Sequence, residues 1–198
     1  MARRSDHTRD ELHQMMLDAA RHVAATDGPE AITARRIAGD IGYSPGTIYQ
    51  LFDNLDALIV ALKSMVLSEI LERLDALAMT GKVERDVLAL VDAYLAYERE
   101  EPALWRTLFD LSLPGGSPFP ESFAMQIADG LTRVERALLP LNLGKADQIT
   151  AARTLWAGLH GIISLSGNSG LAHSGAGSTQ ALAHHFAVTY LKGLTAGR

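Results

Sequence analysis

Residues 33–58, TARRIAGDIGYSPGTIYQLFDNLDAL, constrain the fold more than any other stretch, because two helix starts and one enforced turn fall within them. Thr33 is an N-cap type of residue. Behind it Ala34, Ile37, Ala38 and Ile41 recur at three- and four-residue steps, which gives a short helix one apolar face. Gly42 follows at once; lacking a Cβ, it enters the left-handed region freely, ends that helix and turns the chain. Ser44 and Pro45 restart a helix, a hydroxyl able to hold free amides followed by a residue preset for the first turn. This second helix runs to Leu51. Ile48, Leu51 and Phe52 supply its buried side, while Gly46, Thr47, Tyr49 and Gln50 face outward on a surface with hardly any charge. A helix that is merely solvated carries more charge there.

Two short helices across a tight turn form a helix-turn-helix, whose second helix can enter a major groove with its N-terminal residues towards the base edges. Its exposed amides and dipole also favour a phosphate. An αα-corner inside a helical bundle has the same spacing, so spacing alone leaves both readings open. Upstream, Thr8 with Glu11 forms a capping-box pattern, and Leu12, Met16, Ala19 and Val23 mark an apolar stripe that Asp27-Gly28-Pro29 stops.

With these pieces in place, residues 8–60 resemble the N-terminal DNA-binding domain of the tetracycline-repressor (TetR) family. The resemblance is carried by Ala19, Ala20, Gly28, Thr33, Ile37, Ala38, Ile41, Gly42, the run Ser44-Pro45-Gly46-Thr47-Ile48-Tyr49, Phe52 and Leu58. It covers about a quarter of the chain, and the length of the remainder also suits the family. One position departs: family members usually place a lysine contacting backbone phosphate where this chain has Leu55. Amides at the start of the fourth helix, near Asn54, remain to hold a phosphate, so weakened anchoring is expected there.

Charge must be located before it is used. The net charge is −5, and residues 1–53 hold six arginines against eight carboxylates, with three further net negative charges in the remainder. Neither part is a basic module, so non-specific affinity should be modest and selectivity must come from a few placed contacts. Arg3, Arg4, Arg9, Arg35 and Arg36 are well placed for that. On this reading Thr47 and Tyr49 bind phosphates, with Ser44 and Asn54 completing the DNA-binding set. Arg35, Gly46 and Gln50 read bases, and Pro45 makes an apolar contact such as to a thymine methyl.

Beyond the motif, helical periodicity continues. A long helix is expected over about 54–79, followed by helices near 83–100, 102–113, 120–139, 145–167 and 178–195. Pro114-Gly115-Gly116-Ser117-Pro118 reads as a loop, and 168–177 as a glycine-rich connection. No segment alternates as a strand does, so the fold class is all-α. Residues 1–53 are expected to form a three-helix DNA-binding domain and residues 54–198 a helical bundle for ligand and dimer.

The last two helices carry Ala151, Ala152, Ala157, Gly158, Gly161 and Ser164, then Leu182, Phe186, Tyr190 and Leu194, more apolar surface than one bundle obviously needs. The resemblance implies a homodimer formed through them as a four-helix bundle; filling the monomer core is the plainer alternative. Trp156, His160 and Gly161 also resemble a Trp-His-Gly pattern of one C-terminal subgroup.

Catalytic patterns are missing. There is no Gly-x-Ser-x-Gly elbow and no phosphate loop, and Gly175-Ala176-Gly177 follows no strand. His184 and His185 point about 100° apart on a helix, a poor geometry for joint metal binding. No cofactor or metal is called for, and zero cysteines exclude thiol chemistry. Neither a signal peptide nor a run of about eighteen apolar residues occurs, so a cytoplasmic protein away from membranes is expected. Tyr97, Trp105, Phe109, Phe123, Trp156 and His160 are the candidates for an apolar effector cavity. A core histidine with a backbone partner is the plainer account of His160. The expected function is a ligand-released repressor on a palindromic operator. The rivals are a helical small-molecule carrier with a vestigial reader and, less favoured by these absences, an all-α enzyme.

Overall fold

The computed structural model describes residues 7–109, 112–113, 115–116, 118–167 and 177–196. Among these residues the structure is helical without strands: α1 (Arg9–Asp27), α2 (Ala34–Asp40), α3 (Pro45–Leu51), α4 (Leu55–Asp75), α5 (Val83–Glu100), α6 (Pro102–Phe109), α7 (Glu121–Leu138), α8 (Lys145–Gly167) and α9 (Thr179–Ala196). Short 3₁₀ turns, Pro29–Ala31 and Leu139–Leu141, follow α1 and α7. Arg3, Arg4 and most of the glycine-rich connection, 168–176, lie outside the described residues, as do Pro114 and Ser117 of the loop.

Contacts divide the chain into two compact units, one of Met1–Glu69 with Glu100–Ala124, the other of Ile70–Arg99 with Met125–Arg198. In the first, the predicted starts and stops are realised locally. Thr8 accepts from the Glu11 amide at 3.2 Å while the Glu11 carboxylate accepts from the Thr8 amide at 2.7 Å, closing the capping box. Thr33 caps α2 through the Arg36 amide, and Gly42 turns at φ +76°. Met16, Ala20 and Val23 of α1, Ile37 and Ala38 of α2 and Ile48 of α3 are fully buried. Helix α6 packs on α1, with Leu104 and Trp105 buried. Arg21 ties α1 to Glu69 of α4 and to Glu101 just before α6.

Helix α4 carries two buried polar side chains on this unit's side of the division, Asp56 and Lys63. Asp56 accepts the Gly115 amide at 2.9 Å, and the Lys63 ammonium donates to the Leu108 carbonyl at 2.9 Å and lies 5.1 Å from the centre of the Phe119 ring. Asp56 thus meets the segment that follows α6, and Lys63 meets both the last turn of α6 and Phe119 beyond it.

In the second unit α8 packs on α9. Ala151, Ala152, Leu155 and Ile163 face inward on one, Ala183, Ala187 and Leu191 on the other. The small residues do what their size permits: a Cβ built on Gly158 would lie 2.2 Å from Phe186 Cζ, so the ring occupies the space a side chain would take. Asp92 of α5 accepts from Gln180 at 3.0 Å and meets His184 Nε2 at 2.7 Å. Arg133 of α7 grips Asp75 at the end of α4 at 2.7 Å.

The long fourth helix ends at Asp75 rather than at Met79 as expected. Its last turn closes with the Leu77 amide donating to the Leu74 carbonyl at 3.2 Å. Buried Asp86 accepts the Thr80 amide and hydroxyl and the Gly81 amide, at 2.6–3.1 Å, and this holds the α4–α5 connection out of helical geometry. Helix α6 spans Pro102–Phe109 among the described residues, and Leu113, expected at its end, lies outside it and accepts the Gly116 amide in a turn.

Candidate nucleic-acid interface

Helix α3 presents one buried residue, Ile48, and a largely open opposite side. Ser44, Pro45, Gly46, Tyr49 and Gln50 are exposed, Tyr49 to 57%, and Thr47 is half-buried. None is charged. The fold does not require glycine at position 46: an added Cβ would meet only Ser44 Oγ at 3.8 Å, ordinary contact. What glycine provides there is bare backbone that another molecule can approach closely.

Ser44 departs from expectation. Its hydroxyl makes no cap bond to an amide; it lies 3.3 Å from the Thr47 hydroxyl instead, while its carbonyl accepts the Thr47 amide. Paired hydroxyls at the helix start satisfy each other and leave outward lone pairs and donors for a solvent or ligand oxygen. Asn54 is exposed and its side-chain oxygen takes the Ala57 amide at 2.8 Å. One of the amides expected to hold a phosphate is thus already used, and the neighbouring buried carboxylate of Asp56 adds negative charge to the first turn of α4. Leu55 is half-buried.

The two arginines of α2 are distinguished by geometry. Arg36 is engaged by Asp27 at 2.7 Å and Asp40 at 2.8 Å, which fixes α2 against the end of α1. Arg35 is exposed and among the described residues has no ion-pair partner, so it is the cation of this helix left for a ligand. Tyr43, in the turn between α2 and α3, meets His7 Nδ1 at 2.9 Å, a contact no local pattern announced.

The expected effector residues are distributed over both units. In the first, Trp105 and Phe109 lie with ring centres 4.8 Å apart, and Phe123 stacks on Phe119. In the second, Tyr97 is fully buried with Arg73 over its ring, and Trp156 stacks on His160 at 5.2 Å. The nitrogens of His160 meet hydroxyls, Tyr94 at 3.0 Å and Ser164 at 3.3 Å. Ile162, Leu182, Phe186 and Tyr190 line a shallow apolar groove of about 420 Å³, and Leu165 nearby in sequence is 61% exposed.

Helices alone among the described residues, with two short ones across a tight turn and an open face that is polar but uncharged, are the architecture of the helix-turn-helix class of DNA-binding regulators. Family profiles make this specific. That described as "Bacterial regulatory proteins, tetR family" matches residues 16–62, and that described as "Tetracyclin repressor-like, C-terminal domain" matches residues 87–190. The chain belongs to the TetR family of transcriptional regulators. Its function is therefore DNA binding and regulation rather than catalysis. The fold is shared with solved structures of low sequence identity. A protein of unknown function from Rhodococcus sp. RHA1 is 17% identical, with TM-score 0.73 over 97% of this chain and 98% of that one. A tetR-family transcriptional regulator from Streptomyces coelicolor is 14% identical, with TM-score 0.68 over 94% and 81%. A TetR transcriptional regulator from Rhodococcus sp. RHA1 is 16% identical, with TM-score 0.63 over 90% and 94%. No curated protein matches the chain in sequence. Among the described residues no helix is long and apolar enough to cross a membrane.

Proposed function

We propose that the chain is a repressor that binds a palindromic operator as a homodimer and leaves it when an apolar or amphipathic small molecule binds. Residues 1–53 read DNA, and residues 54–198 bind the effector and the second copy. The observation that carries the reading is the open, uncharged side of α3, together with an exposed Arg35 on α2 that has no ion-pair partner among the described residues. Thr47 and Tyr49, with Ser44 and the α4 start at Asn54, contact phosphates. Arg35, Gly46 and Gln50 face base edges, and Pro45 meets a thymine methyl. Support for the homodimer comes from the apolar groove on α8 and α9 and from exposed Leu165, surface that a single chain leaves in water. The aromatic surface from which an effector site is drawn is Trp105, Phe109 and Phe123 within the first unit, or Tyr97, Trp156 and His160 within the second. Release requires only that the effector prefer the dimer whose α3 helices are wrongly spaced; equal affinity for both states would shift nothing.

Selection from random duplexes with the full chain tests this. Two half-sites related by a dyad and centred about 34–36 Å apart are expected. Failure to enrich any palindrome would favour a small-molecule carrier with a vestigial reader, a reading that Leu55 and the acidic balance keep in view.

A further inference from the structure

We propose that His7 and Tyr43 form an additional phosphate-binding pair beside α3, one that strengthens DNA binding when the imidazole is protonated. The proposal rests on the DNA-binding reading above and adds to it a contact outside α3 and a dependence on pH.

The two side chains reach each other from distant parts of the first unit, 36 residues apart, with His7 Nδ1 and Tyr43 Oη at 2.9 Å. Their backbones are held independently. His7 immediately precedes Thr8, whose capping box with Glu11 fixes where the chain enters α1. Tyr43 donates its amide to the Ala38 carbonyl at 2.8 Å, just after the left-handed turn at Gly42. The rings are 6.2 Å apart and inclined by 58°, so the hydrogen bond and not ring stacking joins them. His7 is exposed and Tyr43 half-buried, directly before exposed Ser44. Core packing does not explain the hydrogen bond, since its imidazole partner is exposed.

The chemistry follows from the donor count. A neutral imidazole has one N–H and one bare nitrogen, so the Tyr43 hydroxyl proton can be spent on the ring. An imidazolium donates from both nitrogens. The Tyr43 oxygen then accepts from Nδ1, its hydroxyl proton is freed for a phosphate oxygen, and Nε2–H adds a charged donor. A phosphate seated on the pair stabilises the imidazolium, so proton uptake and duplex binding reinforce each other. Imidazole is the side chain whose ordinary charge change falls between about pH 5 and 8. On α1 the charged residues next in sequence are Arg9, Asp10 and Glu11, of which Glu11 interacts with His7; α2 ends at Asp40, which is paired with Arg36, and α3 carries no charge. Glu11 is held below the usual carboxylate range by the Thr8 amide, then the Thr8 hydroxyl, with a smaller contribution from His7. It therefore stays anionic over that interval and contributes no slope of its own.

The full chain, His7→Gln and Tyr43→Phe would be compared on the selected palindrome and on a shuffled duplex of equal length, between about pH 5.5 and 8 at fixed ionic strength. Wild-type affinity should rise on acidification, by about tenfold more than that of His7→Gln, on both duplexes because a phosphate contact carries no sequence. Tyr43→Phe, which keeps the ring, should flatten the same slope. Unchanged affinity and slope in His7→Gln overturn the inference while leaving the palindrome reading intact. Loss of affinity in both variants by an equal factor at every pH, accompanied by lower melting temperatures, assigns the pair a structural role and overturns it too. A wild type that enriches no palindrome removes the reading on which the inference rests, and the inference with it.

Discussion

The Asp56 carboxylate, in the first turn of α4, accepts the backbone amide of Gly115 across 59 residues of chain. A Cβ at position 115 would come within 2.6 Å of Asp56 Oδ2. The contact therefore requires glycine for space rather than for dihedral freedom. Gly115→Ala should push the carboxylate off the amide and cost about 1–3 kcal/mol, measured by urea unfolding. Asp56→Asn keeps an acceptor oxygen and should lose less. Equal stability of Gly115→Ala and wild type would mean that the loop relaxes freely.

The Phe186 ring fills the space above Gly158. Gly158→Ala should lower stability by about 1–3 kcal/mol through overpacking, and the loss should shrink when Phe186 is also changed to Leu. Additive costs in the double variant would place the strain elsewhere.

Arg35 and Arg36 are adjacent in sequence and opposite in expected effect. Arg35→Ala should leave the melting temperature unchanged, cost about 1–3 kcal/mol in binding and relax preference at one base pair. Arg36→Ala should lower the melting temperature slightly, since it removes the ties to Asp27 and Asp40. A uniform loss over all duplexes for Arg35→Ala would make that residue a phosphate contact.

Asp86 gives the fold an acid limit. Hydrogen bonds from the Thr80 hydroxyl and amide, against an opposing effect of burial, hold its carboxyl below the usual aspartate range, with Gly81 assisting. A lowered folded-state value means the stabilisation is fully present above the unfolded range, about 3.9, and is lost as pH falls through the folded value. Asp86→Asn should be less stable than wild type at neutral pH, and the gap should close below about pH 4. Chemical unfolding at several pH values reads this directly; a gap independent of pH would contradict it.

Leu165 is the most open large apolar side chain of α8. If the α8–α9 face receives a second copy, Leu165→Arg should shift sedimentation from dimer to monomer with little change in helical content. A variant that still dimerises would move the interface to another surface.

What could be read from sequence follows the range of the forces involved. The reader was legible because its determinants are neighbours: the Thr33 cap, the Gly42 turn, the Pro45 start and the apolar steps through Ile48 act within a few residues. Helices α5 and α8 were placed for the same reason. Partnerships made across the fold were not legible. Nothing near Lys63 in sequence announces Leu108, and nothing near His7 announces Tyr43. Ser44 illustrates the local limit as well, since its hydroxyl had two short-range partners available and the side chain of Thr47 prevailed over the amides. The connection after α4 is held through Thr80 and Gly81 by Asp86, a downstream partner that the local pattern up to Met79 does not announce.

The neutral exterior of α3 bears on how such a regulator finds its target. With few lysines or arginines to displace the ions condensed around a duplex, residence on arbitrary chromosome would be brief, and sliding along it short. Search would then proceed mainly by repeated encounters from solution, with occupancy set by fit at the cognate sequence and only weakly by the salt around it.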